Sequence, residues 1–121
     1  MLEPLDRKVL IVDDEEHVKS LLSEFFSFNG YDVILANNGR EALEILKNEH
    51  CSLLITDLKM PGINGVELVV KIRNLDISLP IIGISSENKE SEFLKAGANY
   101  FLLKPFSIHH LKSIVSLIFG R

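Results

Sequence analysis

Four apolar runs in this chain stop at side chains able to do chemistry. Leu53-Leu54-Ile55 leads through Thr56 to Asp57, Val9-Leu10-Ile11-Val12 stops at Asp13 and Asp14, Ile81-Ile82-Gly83-Ile84 at Ser85, and the run 100–103 at Lys104. If those runs are parallel strands of one sheet, their ends share an edge, and residues far apart in sequence converge there. Carboxylates crowded into one cleft repel, so their full ionisation calls for a cation among them. All-oxygen donors of this kind select Mg²⁺, which keeps several waters and leaves positions for phosphate oxygens. Lys104 supplies a compact, mobile positive charge suited to a phosphate or to Asp57 itself, and Ser85 a hydroxyl donor. Singly, each residue has a structural reading: Asp13-Asp14 as helix-capping acids, Asp57 and Ser85 as strand-end caps, Lys104 as a solvated loop lysine. Their joint occurrence at four strand ends favours the chemical reading.

The elements that position these residues follow from periodicity and turn chemistry. Residues 1–7, with Pro4, form a polar lead-in. After the first strand, Asp13-Asp14-Glu15-Glu16 suit a helix N-terminus, where acids complement the macrodipole. The helix carries Val18, Leu21, Leu22, Phe25 and Phe26 on one face and closes at Asn29-Gly30, with Gly30 as a left-handed cap. A half-alternating second strand over 31–36 belongs near an edge, and a helix over about 40–49 turns Ala42, Ile45 and Leu46 inward. The third strand, ending at Asp57, breaks at Pro61-Gly62 before a helix with Val66, Leu68, Val69, Val70 and Ile72. A fourth strand at Pro80-Ile81-Ile82-Gly83-Ile84, a short helix near 89–96 and a fifth strand over about 100–103 come next. The last helix, 107–119, has a Ser107 N-cap and buries Ile108, Leu111, Val115 and Ile118. Such βα alternation implies right-handed crossovers and a parallel sheet with helices on both faces; strand order is not readable from the pattern.

Composition excludes other classes. A chain of 121 residues with 46% hydrophobic content fits one domain with an ordinary core. A net charge of −4 with interspersed signs leaves no nucleic-acid footprint. No apolar run approaches the ~20 residues of a membrane span, and no secretory pattern opens the chain, so the expected location is cytoplasmic. Cys51 has no partner for an internal disulfide and is expected to pack at a strand start, while the four histidines lack zinc-site spacing.

The ordered set Val9-Leu10-Ile11-Val12-Asp13-Asp14, Thr56-Asp57-Leu58-Lys59-Met60-Pro61-Gly62, Gly65 with Glu67-Leu68, Pro80-Ile81-Ile82 to Ser85, Ala96-Gly97-Ala98 and Lys104-Pro105-Phe106 resembles the receiver domain of bacterial two-component response regulators. The likeness runs from about Lys8 to Phe119. It implies a doubly wound (βα)5, flavodoxin-like three-layer sandwich with strand order 2-1-3-4-5. One receiver domain then occupies 1–121, with its core at about 8–119. By the same resemblance Asp57 is the phosphoacceptor, attacking a phosphohistidine on a sensor histidine kinase or phosphotransfer protein. Asp14 and Asp57 match the direct Mg²⁺ ligands, the Lys59 backbone carbonyl a further ligand, and Asp13 the acid that holds the metal through water. Ser85 matches the hydroxyl that bonds the new phosphoryl group, Lys104 the lysine that pairs with it, and Phe101 the switch aromatic. Lys104-Pro105 falls where the family commonly has a cis peptide. The expected output is a changed surface of helix four, strand five and helix five, with a homodimer through that face as one form it can take.

Two features depart from the family pattern: Phe101 lacks the hydroxyl of the commoner Tyr, and the stretch from Ser85 to Lys104 is about one helical turn short. Lys59 and Glu87, two positions past Asp57 and Ser85, flank the site where the family tunes dephosphorylation. Leu117 and Phe119 lie off the main stripe of the last helix, at a dimer face or linker. Three rival readings differ by single features. A haloacid-dehalogenase-type phosphohydrolase wants an acid two residues after its nucleophile, where Lys59 stands. A flavodoxin-like cofactor binder wants a Ser/Thr/Gly phosphate loop where Asp13 to Glu16 stand. A degenerate receiver acting only as a binding module would lack part of a set that is complete here.

Overall fold

The computed structural model describes residues 7–120, so the lead-in with Pro4 lies outside the described residues apart from Arg7. Ten elements alternate: β1 (Lys8–Val12), α1 (Glu16–Phe28), β2 (Asp32–Ala36), α2 (Gly39–Asn48), β3 (Leu53–Asp57), α3 (Gly65–Asn74), β4 (Ile81–Ser85), α4 (Glu90–Ala96), β5 (Tyr100–Leu103) and α5 (Ile108–Phe119). The strands form one parallel sheet in the order β2-β1-β3-β4-β5, the order expected from the resemblance.

Right-handed crossovers explain the layers. The chain steps from β1 outward to β2, then back past β1 to β3, β4 and β5, so crossovers of one hand place α1 on one face and α2, α3 and α4 on the other. Strand side chains divide accordingly with a period of two. Leu10, Val12 and Leu54 join Leu46, Leu68, Ile72 and Phe93 in one core. Val9, Ile11, Leu53 and Ile55 join Leu22, Phe26, Leu111 and Val115 beneath α1 and α5 in the other. β3 and β4 are buried throughout, as their near-continuous apolar runs require. β2, at the edge, leaves Leu35 exposed.

Local signals hold the helix ends. Asn38 accepts from the Glu41 amide, Asn64 and Glu67 form a reciprocal capping box, and Ser107 accepts from the His110 amide. Gly30 takes φ 87° just after α1, in the left-handed region. Cys51 is buried as expected, and all four histidines are exposed.

Some expectations are corrected. Ile108 is 40% exposed, and Ile114 takes its place in the core. All the apolar residues of α5 fit overlapping stripes; the sheet selects the one centred on Leu111 and Val115, which leaves Ile108 in an open hollow beside Leu21 and Phe25. Leu117 is exposed, but Phe119 packs on Tyr31 with ring centroids 5.4 Å apart. Leu21, Phe25 and Ile45 are only half-buried, and Val70 faces outward.

The periodicity also gives no hint of one buried and one half-buried cation. Lys19 is nearly covered, its ammonium 2.9 Å from Glu16 and 3.3 Å from Asn37 Oδ1. The Arg73 guanidinium donates to the carbonyls of Ile77, Leu79 and Gly97 and to Asn99 Oδ1, tying the α3–β4 loop to the end of α4. Among the described residues no helix is long and apolar enough to cross a membrane.

Candidate functional site

Strand register brings the singled-out residues together. Val12 pairs with Thr56, so Asp13 follows at the level of Asp57. Asp57 pairs with Ile84 and Ser85 with Leu103, so Ser85 and then Lys104 follow along the same edge. The side chains line a hollow of about 760 Å³ that includes Asp14, Asp57, Ser85, Lys104 and Phe106. Carboxylate oxygens of Asp13, Asp14 and Asp57 lie within 4.8 Å of one another. Asp13 is fully buried and Asp57 and Ser85 nearly so, while Asp14 is exposed.

Lys104 is the hub. Its ammonium lies 3.3 Å from Asp13 Oδ2, 3.3 Å from Asp57 Oδ1 and 3.1 Å from Glu15 Oε1. Burial alone would depress it, but the bond to Glu15 and the charges of Asp13 and Asp57 leave it raised above the usual lysine value. Asp13 is pushed up to about 6. Burial is the chief cause and the Asp57 charge adds to it, against the Glu15 amide and Lys104, which favour its ionised form. The Glu15 amide donates to Asp13 Oδ1 at 2.9 Å. The Ser85 hydroxyl oxygen accepts from the Glu87 amide at 3.0 Å, fixing the turn after β4. Across the mouth the Lys59 ammonium meets Glu87 Oε2 at 2.6 Å, and this partner holds the Glu87 carboxyl below its ordinary range. Thr56, fully buried beside Asp57, donates its hydroxyl to the Asp57 carbonyl at 3.0 Å.

The donor set suits a hard divalent cation: three carboxylates, one of them fully buried, with no sulfur or imidazole among them. Lys59 follows Asp57 by two residues in the adjoining loop. Phe101 does not reach the acid cluster. It is half-buried beneath α4, 5.7 Å from the Phe93 ring, and Phe93 in turn fills the space over Gly83. The Lys104–Pro105 peptide is cis. From the sequence Glu15 reads only as a helix-start acid, and its position beside Asp13-Asp14 is the one signal of a place at the site.

Residues 9–116 match the response regulator receiver domain family. The chain is 32% identical over 120 residues to the alkaline phosphatase synthesis transcriptional regulatory protein PhoP of Bacillus subtilis, covering 97% of this chain and 50% of that protein. It is 37% identical over 117 residues to the response regulator MprA of Mycobacterium ulcerans, covering 94% of this chain and 50% of that one. It thus spans about half the length of the curated relatives it matches. A receiver domain of a Francisella response regulator superposes with a TM-score of 0.88 at 31% identity, covering 95% of this chain and 98% of the other. The response regulator TrrA from Thermotoga maritima, solved in complex with Mg²⁺-BeF, superposes with a TM-score of 0.85 at 32% identity, covering 93% and 98%. With the matched region running from the first strand into the last helix, and the acids at the carboxyl edge of that same sheet, the chain belongs to the response regulator receiver domain family.

Proposed function

We propose that residues 1–121 act as one receiver domain that accepts a phosphoryl group on Asp57 from a phosphohistidine of a sensor histidine kinase or phosphotransfer protein. The observation that carries this is the convergence of Asp57 with Asp13, Asp14 and Lys104, residues up to 91 positions apart, at one edge of the sheet. An Asp57 carboxylate oxygen attacks phosphorus, the P–N bond to the donor imidazole breaks, and the freed nitrogen keeps the electron pair. The product is an acyl phosphate. Lys104 leads one positive charge to the phosphoryl oxygens, and the Ser85 hydroxyl donates to them once it turns from the Glu87 amide. Asp14, Asp57 and the Lys59 backbone carbonyl would hold Mg²⁺ directly and Asp13 through water. When bound there, the ion would supply positive charge to offset that of the phosphoryl oxygens. TrrA, similar in fold and sequence and solved with Mg²⁺-BeF, supports the assignment.

The transfer adds roughly −1.5 to −2 charge and three acceptor oxygens at pH 7. Ser85 and its loop move toward them, the Phe101 ring follows into the space released, and the α4–β5–α5 surface changes. A 1:99 to 99:1 shift needs about 5.5 kcal/mol, of which a charged hydrogen bond supplies ~1.5–3. Exposed Leu94, Leu103 and Leu117 give that surface apolar positions for a partner or for a second copy in a homodimer. The proposed location is cytoplasmic, and signalling rather than turnover is the proposed role.

Incubation with phosphoramidate and Mg²⁺, followed by intact-mass spectrometry, should show one added phosphoryl group that disappears when the metal is chelated. An unmodified chain would overturn the proposal. Lys104→Ala should keep metal binding but weaken beryllofluoride affinity by about ten- to a hundredfold, the worth of one charged hydrogen bond. It should also shrink the NMR shift changes across α4–β5–α5; a full response in the variant would contradict the role given to Lys104.

Asp13 supplies a pH dependence. Its folded-state value of about 6 lies above the ordinary 3.8, so between these the folded chain binds a proton that the unfolded chain does not. The contribution of Asp13 to stability therefore falls as pH rises through that window in metal-free protein. Mg²⁺ favours the ionised carboxylate, so binding near pH 6 should release protons. Calorimetry in buffers of different ionisation enthalpy measures the release; a buffer-independent heat would contradict it.

A further inference from the structure

The Lys104 ammonium has three protons and three carboxylate partners, and the shortest of those contacts is not to a residue given a role in the transfer. Glu15 Oε1 lies at 3.1 Å, against 3.3 Å for both Asp13 and Asp57. Glu15 stands just before α1 as its N-cap residue, and its side chain makes no capping hydrogen bond. The carboxylate is thus free to serve Lys104. The partners differ in what it costs to release them. Asp13 is fully buried and the Asp57 side chain 11% exposed, so losing the lysine strands their charges away from water. The Glu15 side chain is 56% exposed, and water takes the place of the ammonium.

We propose that Glu15 is a positioning residue that holds Lys104 at the mouth of the site in the unphosphorylated chain and competes with the incoming phosphoryl group for it. This rests on the phosphoacceptor reading of Asp57 and deepens it. The phosphoryl oxygens accept the hydrogen bond from the ammonium that Glu15 accepts in the unphosphorylated chain, so the strength of the Glu15–Lys104 contact sets how readily the phosphorylated arrangement forms. The Asp13 carboxylate, fully buried 3.3 Å from the ammonium, keeps it near the cleft in both states and that of Asp57 does so until it is phosphorylated, while Glu15 adjusts where within the cleft the charge rests.

Two substitutions separate a tether from simple repulsion of an anion. Glu15→Gln removes the charge; Glu15→Asp keeps it but shortens the reach by one methylene. Both should tighten beryllofluoride binding at saturating Mg²⁺ by about threefold, the scale of an exposed ion pair. Neither should alter affinity in a Lys104→Met background. In the metal-free protein, ¹⁵N NMR should show faster solvent exchange of the Lys104 ammonium protons in both variants. Tightening by Glu15→Gln that persists without Lys104, or a Glu15→Asp protein indistinguishable from wild type in both readouts, would overturn the tether and leave the phosphoacceptor reading intact. A wild-type chain that takes up no beryllofluoride would overturn both.

Discussion

Asp57→Asn is expected to abolish phosphoryl uptake from phosphoramidate, with no adduct detectable where the wild-type chain gains one group. The amide has no anionic oxygen to attack phosphorus, yet it is nearly isosteric with the carboxylate and should fit the same pocket among Thr56, Asp13 and Lys104. Loss of the Asp57 charge also removes one contribution to the raised Asp13 value, so Asp13 in the variant should titrate lower. Stability should change little or rise in metal-free protein, because one buried like charge is gone from the cluster. A variant that still gains the adduct would place the acceptor elsewhere, with Asp13 and Asp14 the nearest carboxylates.

Gly65→Ala is expected to produce the largest loss of stability of any single methyl addition near the site. Gly65 opens α3 directly against the backbone of Asp57, and its amide donates to the Leu58 carbonyl at 2.8 Å. An added Cβ would overlap the Asp57 carbonyl oxygen and stand 2.9 Å from its carbon and 3.1 Å from Leu58 Cα. These are backbone atoms at the end of β3, so no side chain can rotate out of the way. The cost should be about 3 kcal/mol, lowering Tm by roughly 10 °C. The strain falls on the peptide that carries Asp57, so beryllofluoride affinity should drop as well. A melting temperature within a degree or two of wild type would contradict the close approach.

Much of this arrangement was legible in the sequence because the sheet is parallel. Apolar runs at 9–12, 53–55 and 81–84, bounded by turn signals, read as strands covered on both faces, and the ends of parallel strands share an edge whatever the strand order. That sets Asp13, Asp57 and Ser85 along one edge; the adjacency of β1, β3, β4 and β5 then makes them neighbours and adds Lys104. What stayed hidden depends on partners far apart in the chain. Nothing local marks the Arg73 guanidinium as the anchor of the Gly97 carbonyl 24 residues on, or Glu15 as a partner of Lys104 at a separation of 89. Lys19 is hidden for another reason: a long aliphatic stem lets a lysine lie along the core with its ammonium turned to Glu16 and Asn37. The exchange of Ile108 for Ile114 came from a helix whose apolar residues fit more than one stripe, a choice that only the opposing sheet can make. Phe101 could be placed on its strand, but its stacking under α4 depends on Phe93 and on the bare backbone of Gly83.

The proposed transfer makes a single bond, between phosphorus and an oxygen of Asp57. Borohydride reduces an acyl phosphate to the alcohol, which would convert a phosphorylated Asp57 to homoserine. Treating the chain with phosphoramidate and Mg²⁺, reducing it and sequencing the peptides by tandem mass spectrometry should find homoserine at residue 57 alone. Homoserine at residue 13 or 14, or at no position, would contradict the account.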